Sequence, residues 1–408
     1  MRKAILINIG DELLRGFVTN TNLYSISRYL FERGIILEKN MVLPDRIDAL
    51  KGELRNCLYK YDYIIITGGL GPTPDDITRE AVAEVLGKRI CYNDELYQSL
   101  RVKFIEYNIP ESKILKNYAK QIEGTQLISN PKGIAPGQVI KTKNTTIVLL
   151  PGPESEAIEV LSKVFENIEP QDIYHIFIRT HSLKENEIVE LLEEELKDPQ
   201  FGVYPGIRGV DIAIICEDKT QLEKTLESIL KKLRHHVYAI GQKNIEEVLG
   251  EKLRERKMTL ATAESCTGGL LGNLITDVSG SSDYFLGGVV TYSNEAKIKL
   301  LNVPEEVFKN YGAVSKECAY FMARGVTDKF ESKIGISITG IAGPTGGTPE
   351  KPVGLVYIGI NFQGKIYVFK QNFGGDRKEI KMKSALKSLY LLNSLLEDID
   401  FSENLIKL

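Results

Sequence analysis

Residues 259–276 read TLATAESCTGGLLGNLIT. A small and β-branched run ends at Glu264, Ser265 follows, and Gly268 and Gly269 precede a second apolar stretch. Strand, glycine turn and helix in that order form the repeating unit of an α/β sheet, and the turn places Ser265 at the end of the strand. The pattern continues downstream, with strands expected over 258–264, 286–292, 334–339, 354–361 and 365–371. Helices are expected over 268–276, 293–301, 315–330 and 376–397.

The first third of the chain has the same rhythm. Short apolar, β-branched runs at 3–9, 62–67 and 145–150 are each closed by Gly or Pro, and helices are expected over 20–33, 46–59, 76–87 and 154–168. Asn20, and Asp75 or Asp76, stand at N-cap positions. Between these regions the order becomes strand (173–180), helix (184–196), two strands (201–204 and 211–217), helix (220–234) and strand (237–240). The expected fold class is therefore α/β: two three-layer α/β domains, residues 1–170 and 243–408, joined by a small α+β domain over 171–242.

Composition narrows the chemistry. With 408 residues, 43% hydrophobic and 26% charged, the chain has the balance of a globular protein, and a net charge of −3 offers no general attraction to nucleic acid or acidic membranes. The short apolar run before Gly10 is too brief for a signal peptide or a membrane span, so a cytoplasmic location is expected. Five cysteines without paired spacing suggest neither zinc nor a disulfide framework. All four histidines, His175, His181, His235 and His236, fall in the middle stretch, so a site in either flank must work without imidazole.

In the C-terminal region the Ser265 turn offers backbone amides at a helix start, where an oxyanion or phosphate can be held without a cationic side chain. A serine nucleophile needs a proton acceptor, and GGVVTYSNEAK supplies Tyr292 and Lys297 as alternatives; burial is what would make the lysine basic enough. The loop SITGIAGPTGG carries Thr339, Gly340, Ala342 and Gly343, and FGGDR puts Arg377 at the start of the last helix, where it could meet a phosphate. Cys266 is a rival nucleophile, yet cysteine amidases normally rely on an imidazole partner that is missing here.

These motifs, AESCTGG, SGSSDYFLGGVVTYSNEAK, YGAVS and TGIAGPTGG, resemble the C-terminal domain of the CinA family, also found alone as nicotinamide mononucleotide deamidase. The resemblance implies hydrolysis of the carboxamide of nicotinamide mononucleotide to nicotinate mononucleotide and ammonia, with Ser265 as nucleophile and no cofactor. It implies catalytic roles for Tyr292, Lys297 and Thr339. Substrate contacts would come from Cys266, Thr267, Gly268, Gly269, Gly340, Ala342, Gly343 and Arg377.

The N-terminal motifs GDELLRGFVTNTN, TGGLGPTPDDIT, KGIAPG and PGPESE resemble the molybdopterin-binding fold as it occurs in CinA proteins, with Glu154 where the family often has proline. That resemblance implies metal-dependent cleavage of ADP-ribose to AMP and ribose 5-phosphate. Asp11, Asp75 and Asp76 would hold a divalent ion, expected to be magnesium, and Asn22, Gly68, Gly69, Gly71, Lys132 and Glu156 would bind substrate. The alternatives are a pterin or molybdenum-cofactor module and a DNA-uptake accessory. The middle segment resembles a KH domain through Gly206-Ile207-Arg208-Gly209, but nine basic residues against thirteen acidic ones over 171–240 oppose a phosphate backbone. Small nucleotides are the expected partners, with no membrane or nucleic acid, in a homodimer.

Overall fold

In β1 (Arg2–Ile9), Ile5, Ile7 and Ile9 enter one buried cluster while Ala4 and Leu6 enter another. Strand side chains alternate between faces, so a strand covered on both sides is apolar at almost every position. That is why the run stands out in the sequence. The computed structural model describes residues 2–110, 113–166, 174–197, 201–216 and 218–398. The chain divides into two compact units, Met1–Ile173 and Tyr174–Leu408.

In the first unit, β1 is joined by β2 (Ile35–Leu43), β3 (Tyr63–Thr67), β4 (Ile90–Tyr92), β5 (Lys120–Ile122), β6 (Gln126–Ile128), β7 (Gly137–Lys141) and β8 (Thr146–Leu150). Six of these form one sheet in the order β2-β1-β3-β8-β7-β6, parallel through β8 and antiparallel beyond it, while β4 and β5 pair separately. The helices are α1 (Asp11–Leu14), α2 (Thr21–Phe31), α3 (Ile47–Cys57), α4 (Thr78–Leu86), α5 (Asp94–Glu106) and α6 (Glu154–Val164). Leu50 and Leu54 of α3 and Ala81 and Val82 of α4 cover one face, and Ile26 and Leu30 of α2 with Val160 and Leu161 of α6 cover the other.

Asn20 caps α2 as expected, accepting from the Leu23 amide at 3.3 Å. The aspartates do not cap α4, which starts at Thr78 behind Ile77. Instead Asp76 turns back and accepts from the amides of Gly71 (2.7 Å) and Thr73 (2.8 Å) and from the Thr73 hydroxyl (2.6 Å). The edge strand β2 and the short pieces between residues 90 and 141 escape a periodicity reading. Glu38, Lys39 and Asn40 interrupt β2 because an edge strand is only half covered.

The second unit opens with a four-stranded antiparallel sheet in the order β10-β11-β9-β12, built from β9 (Tyr174–Thr180), β10 (Phe201–Gly206), β11 (Gly209–Cys216) and β12 (Val237–Ile240). It is backed by α7 (Glu185–Leu191) and α8 (Lys219–Leu233), through Ile188, Leu222, Ile229 and Leu233. The GxxG segment is a two-residue hairpin turn, with Gly206 opposite Gly209, and does not join two helices. The expected helix end at 167–168, residue 173 of one expected strand, residue 217 of another and the expected domain boundary near 170 lie outside the described residues.

After α9 (Ile245–Glu255) comes a five-stranded sheet in the order β14-β13-β15-β16-β17. Its strands are β13 (Leu260–Glu264), β14 (Phe285–Val290), β15 (Ile334–Gly340), β16 (Leu355–Phe362) and β17 (Lys365–Asn372). The first three are parallel and the last two antiparallel. Between and after them run α10 (Leu270–Thr276), α11 (Asn294–Leu301), α12 (Glu305–Asn310), α13 (Lys316–Phe330) and α14 (Arg377–Leu396). Leu260, Ile336, Ile338 and Ile358 pack with α9, α10 and α14, while Ala261 and Ala263 face α11 and α13. The three-layer α/β class expected for this region is what the chain forms. Among the described residues, no helix is long and apolar enough to cross a membrane.

Candidate active site

Parallel pairing sets Glu264 opposite Val290 on one side and Ile338 on the other, so the strand ends of β13, β14 and β15 lie together. Ser265 is tied into that edge: its amide donates to the Ile338 carbonyl at 3.0 Å, and the Thr291 amide donates to the Glu264 carbonyl at 2.8 Å. Beyond Ser265 the chain turns through two consecutive left-handed residues, Gly268 (φ 63°) and Gly269 (φ 96°), which a side chain would strain. Ends of parallel strands that open into helices are where α/β sheets bind ligands.

Lys297 rises into this edge from α11, whose N-cap Ser293 accepts from the Ala296 amide at 3.0 Å. The side chain is 1% exposed. Its Nζ lies 3.0 Å from Ser265 Oγ, 2.8 Å from the Thr291 carbonyl and 3.5 Å from the Tyr292 carbonyl. Among the described residues no carboxylate comes within ion-pair distance of it. Burial without a counter-charge disfavours the ammonium, so desolvation pulls its pKa below the usual lysine value of 10.5; the nearby thiols of Cys318 and Cys266 push weakly the other way. The Thr291 and Tyr292 carbonyls accept from the same nitrogen and hold it against the serine.

Tyr292 is placed differently. It is 62% exposed, and its hydroxyl accepts from Arg377 Nη2 at 3.0 Å. Arg377 also donates through Nη1 to the Gly343 carbonyl at 2.5 Å. Tyr292, Arg377 and the glycine-rich loop thus form one rim, with lysine and serine beneath.

Several expected contributors do other work. Thr339 is 1% exposed and donates its hydroxyl to the Ala313 carbonyl at 2.7 Å, which fastens the YGAVS segment to the sheet and spends the group expected to be catalytic. Gly340 is packed against β16, where a Cβ would sit 2.7 Å from the Leu355 carbonyl, and Ala342 is in the core. Cys266 is also a core residue, its thiol pushed up to about 12 by burial, so it is neither a thiolate nucleophile nor a side-chain contact. Thr267 is fully buried.

The amides at the helix start are not all free, contrary to expectation. Glu264, 2% exposed, accepts from the amides of Gly269 (3.0 Å), Leu271 (3.0 Å) and Gly272 (2.8 Å). Its carboxylate takes the place where an anionic ligand would otherwise be held, and it pins the turn. Among the described residues, no backbone carbonyl accepts from the amides of Cys266 or Thr267, which leaves those two beside Ser265. Glu264 is not legible in the sequence, because a carboxylate at a strand end gives no periodic signal. Nor is Lys381, one helical turn after Arg377, whose Nζ is 3.8 Å from where a Cβ on Gly268 would lie. The (i, i+4) spacing from Arg377 was the available clue.

A family profile described as "CinA C-terminal domain" matches residues 242–396, and one described as "Probable molybdopterin binding domain" matches residues 5–170. A CinA-like protein from Thermotoga sp. (strain RQ2) is 37% identical over 404 residues, spanning 97% of this chain and 99% of its own. The chain belongs to the CinA family. Another CinA-like protein, from Thermosipho melanesiensis, is 38% identical over 406 residues, covering 97% of this chain and 100% of its own. A crystal structure of a CinA superfamily protein from Klebsiella pneumoniae 700603 is 32% identical, covering 38% of this chain and 96% of that one with a TM-score of 0.37.

The molybdopterin-binding-like unit of this CinA chain has its own cleft of about 530 Å³ at the ends of its parallel strands. Gly68, Gly69, Gly71, Lys132 and Glu156 line it, as expected. Arg79, 2% exposed, supports the glycine loop from behind by donating to the carbonyls of Leu70 (2.8 Å) and Gly71 (2.7 Å). Tyr107 and Tyr118 add an aromatic wall that the sequence reading did not identify. Asn22 is not part of the lining; its amide donates to the Gly152 carbonyl at 2.8 Å.

The expected metal ligands do not assemble. Asp11 accepts from Arg15 at 2.6 Å and lies off the cleft, whose carboxylates are Glu12, Asp45, Asp75, Asp76 and Glu156. Asp76 is committed to the loop, and among the described residues no three His, Cys, Asp or Glu side chains converge as a metal site. Oxygen donors suit a hard ion, but as placed they do not fit one.

Proposed function

We propose that the C-terminal region of this CinA protein is a serine amidase that converts nicotinamide mononucleotide to nicotinate mononucleotide and ammonia. The observation that carries this reading is the 3.0 Å contact between Ser265 Oγ and a buried lysine whose burial favours the uncharged amine. Ser265 Oγ bonds to the carboxamide carbon while its proton passes to Lys297 Nζ. The amides of Cys266 and Thr267, which no backbone carbonyl among the described residues accepts from, would serve as donors for the oxyanion. Lys297 then gives the proton to the departing nitrogen, releasing ammonia, and water cleaves the acyl-serine by the same base in reverse. Arg377 and Lys381 supply positive charge for the phosphate of a mononucleotide.

Incubating the full chain with nicotinamide mononucleotide and measuring ammonia and nicotinate mononucleotide together tests the proposal. Full activity in a Ser265→Ala variant would remove it.

A second reading concerns the first unit. Its cleft combines a glycine loop, Lys132 and two tyrosines, a lining suited to a ligand with both an anionic and an aromatic part. ADP-ribose has both. AMP release from ADP-ribose, measured with magnesium and with a chelator, tests hydrolysis and its metal dependence together. A pterin that binds this cleft while ADP-ribose stays intact would favour the carrier alternative.

A further inference from the structure

The chain's histidines take no part in the chemistry above, yet one of them belongs to a second serine–lysine pair. Ser182 follows β9 at φ 61°, in the left-handed region that residues with a Cβ avoid. Its exposed hydroxyl has two partners: Lys387 Nζ of α14 donates to Oγ at 2.8 Å, and His181 Nδ1 lies 2.9 Å from the same oxygen. A non-glycine residue kept in such a conformation, with its side chain in a specific polar contact, is a reason to look for a role.

The two partners are held from several sides. His181 is 8% exposed and stacks on the Tyr390 ring, with centroids 4.6 Å apart and planes at 6°. Burial keeps the imidazole neutral, its pKa pushed down to about 3, with Lys387 and His236 acting in the same direction. Desolvation likewise lowers the basicity of Lys387, which makes no ion pair among the described residues. A neutral ring nitrogen and a partly buried amine therefore meet on one exposed hydroxyl; Lys297 makes the corresponding amine contact to Ser265 in a buried setting without an imidazole.

The surrounding backbone differs too. The Lys184 amide that follows is already bonded to Glu187 at 2.7 Å, and no glycine turn is present to hold an oxyanion. An acyl group transferred here would persist rather than turn over.

We propose that Ser182 is a second reactive serine, an acylation site for small activated acyl esters, with Lys387 as its base and His181 orienting its hydroxyl. In the transfer Oγ bonds to the acyl carbon, the carbon–oxygen bond to the leaving group breaks, and the hydroxyl proton passes to Lys387 Nζ. The leaving oxide takes a proton from solvent, and no redox partner is required.

The test uses the full chain carrying Ser265→Ala, treated with p-nitrophenyl acetate and read by p-nitrophenolate release and peptide mass. The expected result is one acetyl group on Ser182, at least tenfold more than on exposed Ser99, whose hydroxyl donates to the Leu96 carbonyl. Adding Lys387→Met should cut that labelling tenfold. Adding Ser182→Gly, which suits the left-handed backbone, should abolish it without lowering the melting temperature. Labelling of Ser182 no greater than that of Ser99, acetylation of Lys387 in its place, or labelling indifferent to Lys387→Met would each overturn the proposal.

Discussion

Arg377 donates to the Tyr292 hydroxyl across 3.0 Å and so joins the start of α14 to the segment that leads into α11. A phenol that accepts from a guanidinium at an exposed rim is a poor proton acceptor for a buried serine. Lys297, on the same short segment, faces inward and touches Ser265 directly. The two candidates that the sequence left side by side therefore separate by role, tyrosine at the mouth and lysine at the floor.

Replacing Ser265 by Ala or Lys297 by Met should lower kcat for deamidation by about 10²–10⁴-fold, the usual range for losing such a group. Lys297→Met keeps the buried volume and removes an amine without a counter-charge, so its melting temperature should not fall. Cys266→Ala should keep kcat within about threefold, because that thiol is buried and protonated. Ammonia release and thermal melts on the three variants check this together.

The pH profile follows from the sign of the lysine shift. Only the uncharged amine accepts a proton, and its fraction rises with pH through the pKa of Lys297, which burial has lowered from 10.5. A plot of log kcat/KM against pH should climb with unit slope on its acid side and level off below the ordinary lysine range. Lys297→Arg, whose side chain stays charged, should show no activity anywhere in the range.

Glu264 should behave as a positioning residue. Glu264→Ala strands three amides, that of Leu271 buried and those of Gly269 and Gly272 partly so, and should destabilise the fold by about 1–3 kcal/mol, read from chemical denaturation. In Glu264→Gln the fold should survive with kcat reduced more than KM is raised, because the turn that carries Ser265 loosens while the rim is untouched. Equal loss in kcat and gain in KM would argue for a general packing role.

Arg377→Met and Lys381→Met should each raise KM for nicotinamide mononucleotide by about 10–100-fold, the scale of a charge-assisted contact. Neither should change the rate with nicotinamide riboside, which lacks the phosphate. Comparing the two substrates across the two variants separates a phosphate contact from damage to the fold.

Sequence alone determined the α/β class, the serine at a strand end and the pairing of Tyr292 with Lys297 about one helical turn beyond it, because continuous apolar runs and glycine turns are local signals carried by adjacent residues. It also supplied the family, since several spaced motifs recur together. Tertiary structure alone decided that Lys297 is buried on Ser265 while Tyr292 is not, that Thr339 and Asp76 spend their side chains on holding loops, and that Glu264 fills a place expected to await a ligand. Those outcomes depend on which atoms distant segments bring within about 3 Å and on how much water remains there. Residue spacing along the chain encodes neither.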